Sequence, residues 1–375
     1  MNITIINPLL YTPPIKGEAV PRVATIKHTM IYNFAMAFVK LGHKVTIIAS
    51  EEYRPTESET YDCNIVFLKN IAKQIYKKWP NGLPILSGLT RYLWKNRAKI
   101  DLIISSEILT PTTLSAAIVA PRKLVIWQEF GKHMQPLKEV PSKIWYNVVV
   151  PLFMRKAIVI PRSEKALSFA SKYAKCVSQE IVDHGIDTDN FQPSNEKENY
   201  FVVVARLDRR KRIDLTIRKF AEFYKKYSDK YRLILLGDGA ERERLEALVA
   251  ELNLKDRVCF YGFQDREALA KIVSRARASL IDTIADLNMV SIAETVACGT
   301  PIITNTVPYS IYYIRKNNLG IVDQEWDYRA MIDVLENNDK YVANCINYRP
   351  KLAYTYLAER MIEIYKKHYE DITDK

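Results

Sequence analysis

Two carboxylates, Asp286 and Glu294, stand eight residues apart in the stretch DTIADLNMVSIAETVACGTPIITN, Asp282 to Asn305. The apolar run ASLID reads as a strand ending at Asp282, and a helix is expected to begin near Met289. The amides of Met289, Val290 and Ser291 then lie at a helix start, where unpaired N–H groups and the helix dipole favour a phosphate. Glu294, about one turn in, can accept two hydrogen bonds from the vicinal hydroxyls of a ribose. Asp286, ahead of the helix, can grip a second polyol. The plainer alternative has Asp286 as a helix cap and Glu294 as a surface acid. Upstream, VVVARLDRRKRIDLTIRKF delivers Arg206 and Lys211 from a strand end to a helix start, an arrangement suited to a diphosphate. The basic neighbours Arg209, Arg210 and Arg212 leave the choice of cation open. Gly237, in LILLGDGAERER, follows a strand and precedes a helix, a weak phosphate-turn signal. Phe263, beyond the strand RVCFYG, offers a face to a flat base; a plain strand-end turn explains it better.

The elements that must position these residues form two series. In the first half, ITIIN, KVTIIAS, NIVFL, DLIISS, KLVIW and AIVIP are short apolar runs typical of strands buried on both faces, separated by helical patterns. The polar passage HGIDTDNFQPSNEKEN, 184–199, breaks the alternation, which restarts at YFVVVA and continues through RLILLG, RVCFYG, ASLID, PIITN and LGIVD. The reading is an α/β chain of two tandem, doubly wound, Rossmann-like parallel-sheet domains with a cleft between them. The expected bounds are 1–185, a linker at 186–199, 200–350, and a long amphipathic C-terminal helix at 351–375 that returns to the first domain.

Composition narrows the function. The chain has 375 residues, 48% of them hydrophobic, enough for two cores. Its five cysteines are scattered without a CxxC pair and its five histidines without metal-ligand spacing, so free thiols and no metal site are expected. No signal peptide is evident, and the longest apolar run, WYNVVVPLFM, has 10 residues where a membrane span needs about 20. The formal net charge of +12 falls entirely in residues 1–185, with 25 Lys and Arg against 13 Asp and Glu. Within that half, Lys69 to Lys99 carries eight basic residues and no acid, interleaved with Ile75, Tyr76, Trp79, Leu86, Leu89, Tyr92 and Trp94. That mixture suits an anionic lipid surface, where each cation adds about 1 kcal/mol; a solvated basic face explains it equally well. No nucleic-acid reading module accompanies the patch.

The segments ARLDRRKRID, LILLGDGAERERLEALVAELNLKDRVCFYGF and DLNMVSIAETVACGTPII resemble the retaining GT-B glycosyltransferases of glycosyltransferase family 4, whose shared domain is called glycosyl transferases group 1. The resemblance is strong over about residues 200–323. Earlier, LGHKVTIIAS and DHGIDTDNFQP match more loosely. It implies that Arg206 and Lys211 bind the donor diphosphate and stabilise it as leaving group, that Glu294 binds the nucleotide ribose, and that Asp286 holds the donor sugar. Met289 and Val290 would offer amides, while Gly17, with Lys16 beside it, would let the first loop approach the diphosphate. Three departures stand out: Asp286 where glutamate is usual, LNMV where the family has Phe-Gly, and Gln128 and Glu129 where it has a histidine. Glu129 is the candidate for the replaced role, to accept a proton or bind a hydroxyl, with His133 as rival.

The resemblance implies a metal-independent, retaining hexosyltransferase without cofactor, whose first domain meets the acceptor and whose second binds a nucleotide-diphosphate sugar. With the charge distribution it predicts a cytoplasmic enzyme, peripheral to the inner face of the plasma membrane. Its acceptor would be a saccharide, most economically a lipid-linked one in bacterial surface polysaccharide biosynthesis. Two other readings remain: a GT-B nucleotide-sugar epimerase, and a non-catalytic module that only binds the nucleotide-sugar.

Overall fold

The computed structural model describes residues 1–11, 23–133 and 140–373, in two units: Met1–Gly185 with Tyr354–Lys375, and Ile186–Ala353. The first unit is built on six parallel strands: β1 (Asn2–Ile6), β2 (Lys44–Ser50), β3 (Asn64–Leu68), β4 (Leu102–Ser106), β5 (Leu124–Gln128) and β6 (Ile158–Pro161). Their order is β3-β2-β1-β4-β5-β6. All six coincide with the continuous apolar runs, because strands covered by helices on both faces need no polar alternation. Side chains still alternate by face. In β5, Val125 and Trp127 enter one core layer with Phe34 and Phe38, whereas Leu124 and Ile126 enter the other with Leu93, Tyr146 and Val150. The helix Met30–Lys40 starts at Thr29, whose hydroxyl accepts from the Tyr32 amide, and stops before Gly42, whose φ of 80° ends the turn. The C-terminal helix Tyr354–Thr373 packs against it through Leu357, Ala358, Met361 and Tyr365.

The second unit repeats the plan with β7 (Tyr200–Val204), β8 (Arg232–Leu236), β9 (Val258–Gly262), β10 (Ala278–Ile281), β11 (Ile302–Thr304) and β12 (Gly320–Val322). The order β12-β11-β10-β7-β8-β9 is the first sheet's order read from the other edge, again all parallel. In each sheet the order reverses beside the first strand, between β1 and β4 and between β7 and β10. Ligands of doubly wound sheets bind at the carboxyl ends there.

The passage 186–199, expected as a linker, is part of the second unit. Ile186 and Phe191 are buried in its core, and Arg349 donates to the Thr188 carbonyl. Two apolar anchors in a polar sequence suffice to tie it down, so polarity alone misread it.

Gly237 and Gly239 owe their identity to packing. Gly237 has φ 130°, and a Cβ there would overlap the Ala205 carbonyl; one at Gly239 would overlap that of Leu207. The β8 loop is thus pressed against the β7 loop that carries Arg206. Gly237→Ala is expected to cost about 3 kcal/mol, read as a lowered urea midpoint at unchanged m-value.

Candidate active site

The carboxyl ends of β7 and β10 bring the cations and the acids together. After β7 the chain makes a 3-10 turn at Arg209–Lys211 and enters the helix Ile213–Lys226 through Arg212, held at φ 42°. This turn sorts the basic run. Arg209 pairs with Glu241 at 3.1 Å and Arg212 with the buried Asp282 at 3.5 Å. Arg210 and Lys211 both turn to Asp286, at 2.6 and 2.9 Å. Lys211 has only 10% of its side chain exposed. Its burial lowers its pKa, and the bond to Asp286 works against that shift. Arg206 remains open to solvent, steadied by Asp208 at 2.9 Å.

Asp286 is therefore no helix cap. Its Oδ2 also accepts from the Thr283 hydroxyl at 2.7 Å; the same hydroxyl lies 3.1 Å from the Arg210 carbonyl, so its one proton is shared between two acceptors. The cap position of the helix Val290–Ala297 is Met289, which has no side-chain acceptor, so the first amides of that helix have no capping side chain. Glu294, one turn in, is mostly buried. Burial raises its pKa, and Arg266, 4.0 Å away, pulls the other way. A largely buried carboxyl group beside a helix start has oxygens able to accept hydrogen bonds from hydroxyls. Phe263 is 86% exposed beyond β9, which leaves its ring face available for stacking. Gly17 and Lys16 lie outside the described residues.

Residues 186–352 match the family model described as glycosyl transferases group 1. Over these residues the chain is similar to the glycosyl transferases group 1 family. Over 164 residues it is 28% identical to the N-acetylgalactosamine-N,N'-diacetylbacillosaminyl-diphospho-undecaprenol 4-alpha-N-acetylgalactosaminyltransferase of Campylobacter jejuni, covering 40% of this chain and 42% of that protein. Over 170 residues it is 26% identical to the O-antigen chain mannosyltransferase RfbU of Salmonella typhimurium, covering 45% and 47%. The chain thus spans about half the length of such relatives. The fold extends further. Anabaena HepE in complex with UDP superposes with a TM-score of 0.64 at 14% identity, over 98% of this chain and all of that one. This is the GT-B glycosyltransferase fold.

Arg206 and Lys211 follow β7, and Asp286, Met289, Val290 and Glu294 follow β10, all within the residues that this similarity covers. Reading the sequence missed Arg210, Thr283 and Arg266. Only Arg210 left a signal there, as part of an over-rich basic run.

The first unit carries a second polar cluster at the carboxyl ends of β4, β5 and β6. Glu129 follows β5, and its carboxylate meets Arg162 at 3.1 Å and the His184 ring at 3.6 Å. Burial would raise the Glu129 pKa, but the Arg162 charge and the His184 bond outweigh it and bring it to about 2. Glu129 is thus a standing anion, suited to bind hydroxyls and poor at accepting a proton. His133 is engaged elsewhere, between Tyr173 at 3.0 Å and Ser142 at 3.3 Å, within a ring of aromatic side chains.

Glu107, which no sequence pattern flagged, completes the cluster. It follows β4 with φ 66°, unusual for a non-glycine residue, and accepts from the amides of Glu129 and Phe130 at 2.7 and 3.3 Å. Burial, joined by the Glu129 charge, pushes its pKa from 4.5 to about 8 despite those amides and Arg162. At neutral pH it is an uncharged acid. A raised folded-state pKa means that the folded chain holds a proton which the unfolded chain releases near pH 4.5. The stability this gives is complete below 4.5 and is lost as pH rises through about 8. Glu107→Gln is expected to flatten the fall in unfolding free energy between pH 4.5 and 8, measured by urea denaturation across that range.

Proposed function

We propose that the chain transfers a sugar from a nucleotide-diphosphate sugar to a hydroxyl on a lipid-linked saccharide, with retention of anomeric configuration, in bacterial surface polysaccharide assembly. The observation that carries this reading is the buried Lys211–Asp286 pair beside the open start of the Val290–Ala297 helix, with Glu294 one turn in. The diphosphate would take the amides of Met289 and Val290 and the charges of Arg206, Arg210 and Lys211. Glu294 would hold the ribose, Phe263 would stack on the base, and Asp286 would hold the sugar. As the bond between the anomeric carbon and the diphosphate breaks, negative charge grows on the leaving oxygen. Fixed cations and a helix dipole stabilise that charge without reorganising. These groups are the chain's own, so the scheme calls on no cofactor. Gly17 and Lys16 are carried in it by resemblance alone, and Gly237 has its packing role besides.

In this scheme the first unit meets the acceptor, where Glu129 binds hydroxyls. The Campylobacter relative is named for a diphospho-undecaprenol acceptor and the Salmonella relative for O-antigen chains, which favours a lipid-linked acceptor over donor-only epimerisation or binding without turnover. A peripheral place at an anionic inner membrane leaflet follows, with Lys69–Lys99 on the lipid. All eight basic residues of that segment are exposed, but its apolar residues divide. Ile75, Tyr76 and Trp94 face solvent, whereas Trp79, Leu86, Leu89 and Tyr92 pack into the core.

The test is nucleotide release from a panel of UDP-, GDP- and other nucleotide-sugars, with and without extracted membrane lipid. Release from one donor, raised by lipid, is expected. A new sugar isomer from donor alone would indicate an epimerase. A thermal shift with nucleotide but no release across acceptors would indicate a binding module. The absence of both binding and release would overturn the proposal.

A further inference from the structure

Residues Val140–Phe153 form one helical run: α-helix at Val140–Ile144, a π-helical turn at Trp145–Val149, and α-helix again at Val150–Phe153. Two stripes of side chains run along it, both with a period of four. Ser142, Tyr146, Val150 and Met154 are buried, three of them in the core beneath. Val140, Ile144, Val148 and Leu152 point outward, each 52–65% exposed. In an unbroken α-helix a period of four drifts by about 40° at each step. The slower-winding π turn works against that drift and keeps both stripes on their faces. An isolated exposed leucine is ordinary, but a continuous outward aliphatic stripe on a folded helix is not.

The surroundings say what covers it. The helix Leu89–Asn96 packs on Pro111–Val119, which packs on Val150–Phe153, so three helices lie side by side on one face of the sheet. They add exposed Trp94 and Ile118. Residues 69–99, 111–123 and 140–156, which supply this layer, contain thirteen Lys and Arg and no Asp or Glu. A second copy of the chain would bring two such positive faces together, which is unfavourable. Nucleic acid would use the cations and leave the aliphatic stripe wet. An anionic bilayer satisfies both, with aliphatic side chains in the acyl boundary and cations at the headgroups.

We propose that Val140–Phe153 is an interfacial helix through which the first unit seats on an anionic bilayer, with the Lys69–Lys99 segment supplying charge beside it. This rests on the reading of a peripheral membrane enzyme and identifies the inserting element.

The test is flotation of the full chain with phosphatidylcholine vesicles, with and without phosphatidylglycerol. The triple variant Ile144→Ser, Val148→Ser, Leu152→Ser leaves the inward stripe intact, so its melting temperature should stay within a few degrees. It is expected to lose about tenfold or more in partition to the anionic vesicles. Leu152→Trp, in the otherwise native chain, should show blue-shifted emission and quenching by brominated acyl chains. Partition of the triple variant equal to the parent, no spectral shift for Leu152→Trp on vesicles that bind it, or a parent chain that binds no vesicles would each overturn the proposal. The transferase reading is scored separately, by nucleotide thermal shift in the absence of lipid. Vesicle binding lost in the triple variant while no nucleotide binds would uphold the helix and sink the enzyme. Nucleotide release to a soluble acceptor without vesicle binding would do the reverse.

Discussion

Lys211→Ala is expected to reduce nucleotide release from the preferred donor by about a hundredfold or more, chiefly in kcat. Its ammonium lies under the loop that carries Asp286, 2.9 Å from that carboxylate and 3.9 Å from the Met289 sulfur, and is itself largely shielded from water. Charge in such a place is worth most where new charge develops, and on departure of the sugar that place is the diphosphate. Lys211→Arg should recover little. The planar guanidinium is larger than the ammonium, and Arg210 already occupies the other Asp286 oxygen. Asp286→Asn supplies the contrast. It frees Arg210 and Lys211 from a competing anion, so UDP or its counterpart should bind several-fold tighter while transfer slows for want of the sugar contact. Calorimetric titration with the nucleoside diphosphate and initial rates with the donor separate the two effects. A loss below tenfold in Lys211→Ala, with the melting temperature unchanged, would remove Lys211 from the chemistry.

The contrast between Lys211 and its neighbours also shows what a sequence can disclose. Sheet strands are legible because burial on both faces demands local apolar runs, and all twelve are where such runs predict. Lys211 is legible only as one member of a basic run after a strand end, and the run by itself leaves open which cation turns inward. The partners that give it its environment are not legible. Arg210 meets Asp286 across 76 residues of chain, and Arg162 meets Glu129 across 33. No local pattern encodes such pairs, which exist only once a sheet has brought its carboxyl ends together. Glu107 is hidden for a further reason: its left-handed backbone is imposed by the switch point and not by residue type. The outward stripe of Val140–Phe153 is invisible for the opposite reason. In WYNVVVPLFM nearly every residue is apolar, so the sequence shows abundance without direction, and only the burial of one face reveals that the other is uncovered.

The second large effect concerns stability. Arg162→Met is expected to destabilise the first unit by about 3–5 kcal/mol, the cost of leaving a buried carboxylate without its partner. Arg162 is the most enclosed cation of the cluster. Its guanidinium lies 4.0 Å from the Trp127 ring centre, donates to Glu129 and touches the His184 ring. Methionine fills much the same volume, so packing loss is small and the deficit is electrostatic. The pH dependence identifies it. In the parent chain Glu129 has a depressed pKa, so the stability it contributes is present above pH 4.5 and lost as pH falls towards 2. Without Arg162 the direction reverses: burial dominates, the Glu129 pKa rises above 4.5, and stability is instead lost as pH increases. Urea denaturation of Arg162→Met should therefore show its largest deficit near neutral pH and a much smaller one near pH 4. The double variant Arg162→Met, Glu129→Gln removes the stranded charge and should recover most of the loss, a coupling that a purely steric role for Arg162 would not produce. If the double variant is as unstable as the sum of its parts, Arg162 acts through packing on Trp127, and the account of Glu129 as an anion held for hydroxyl binding falls with it.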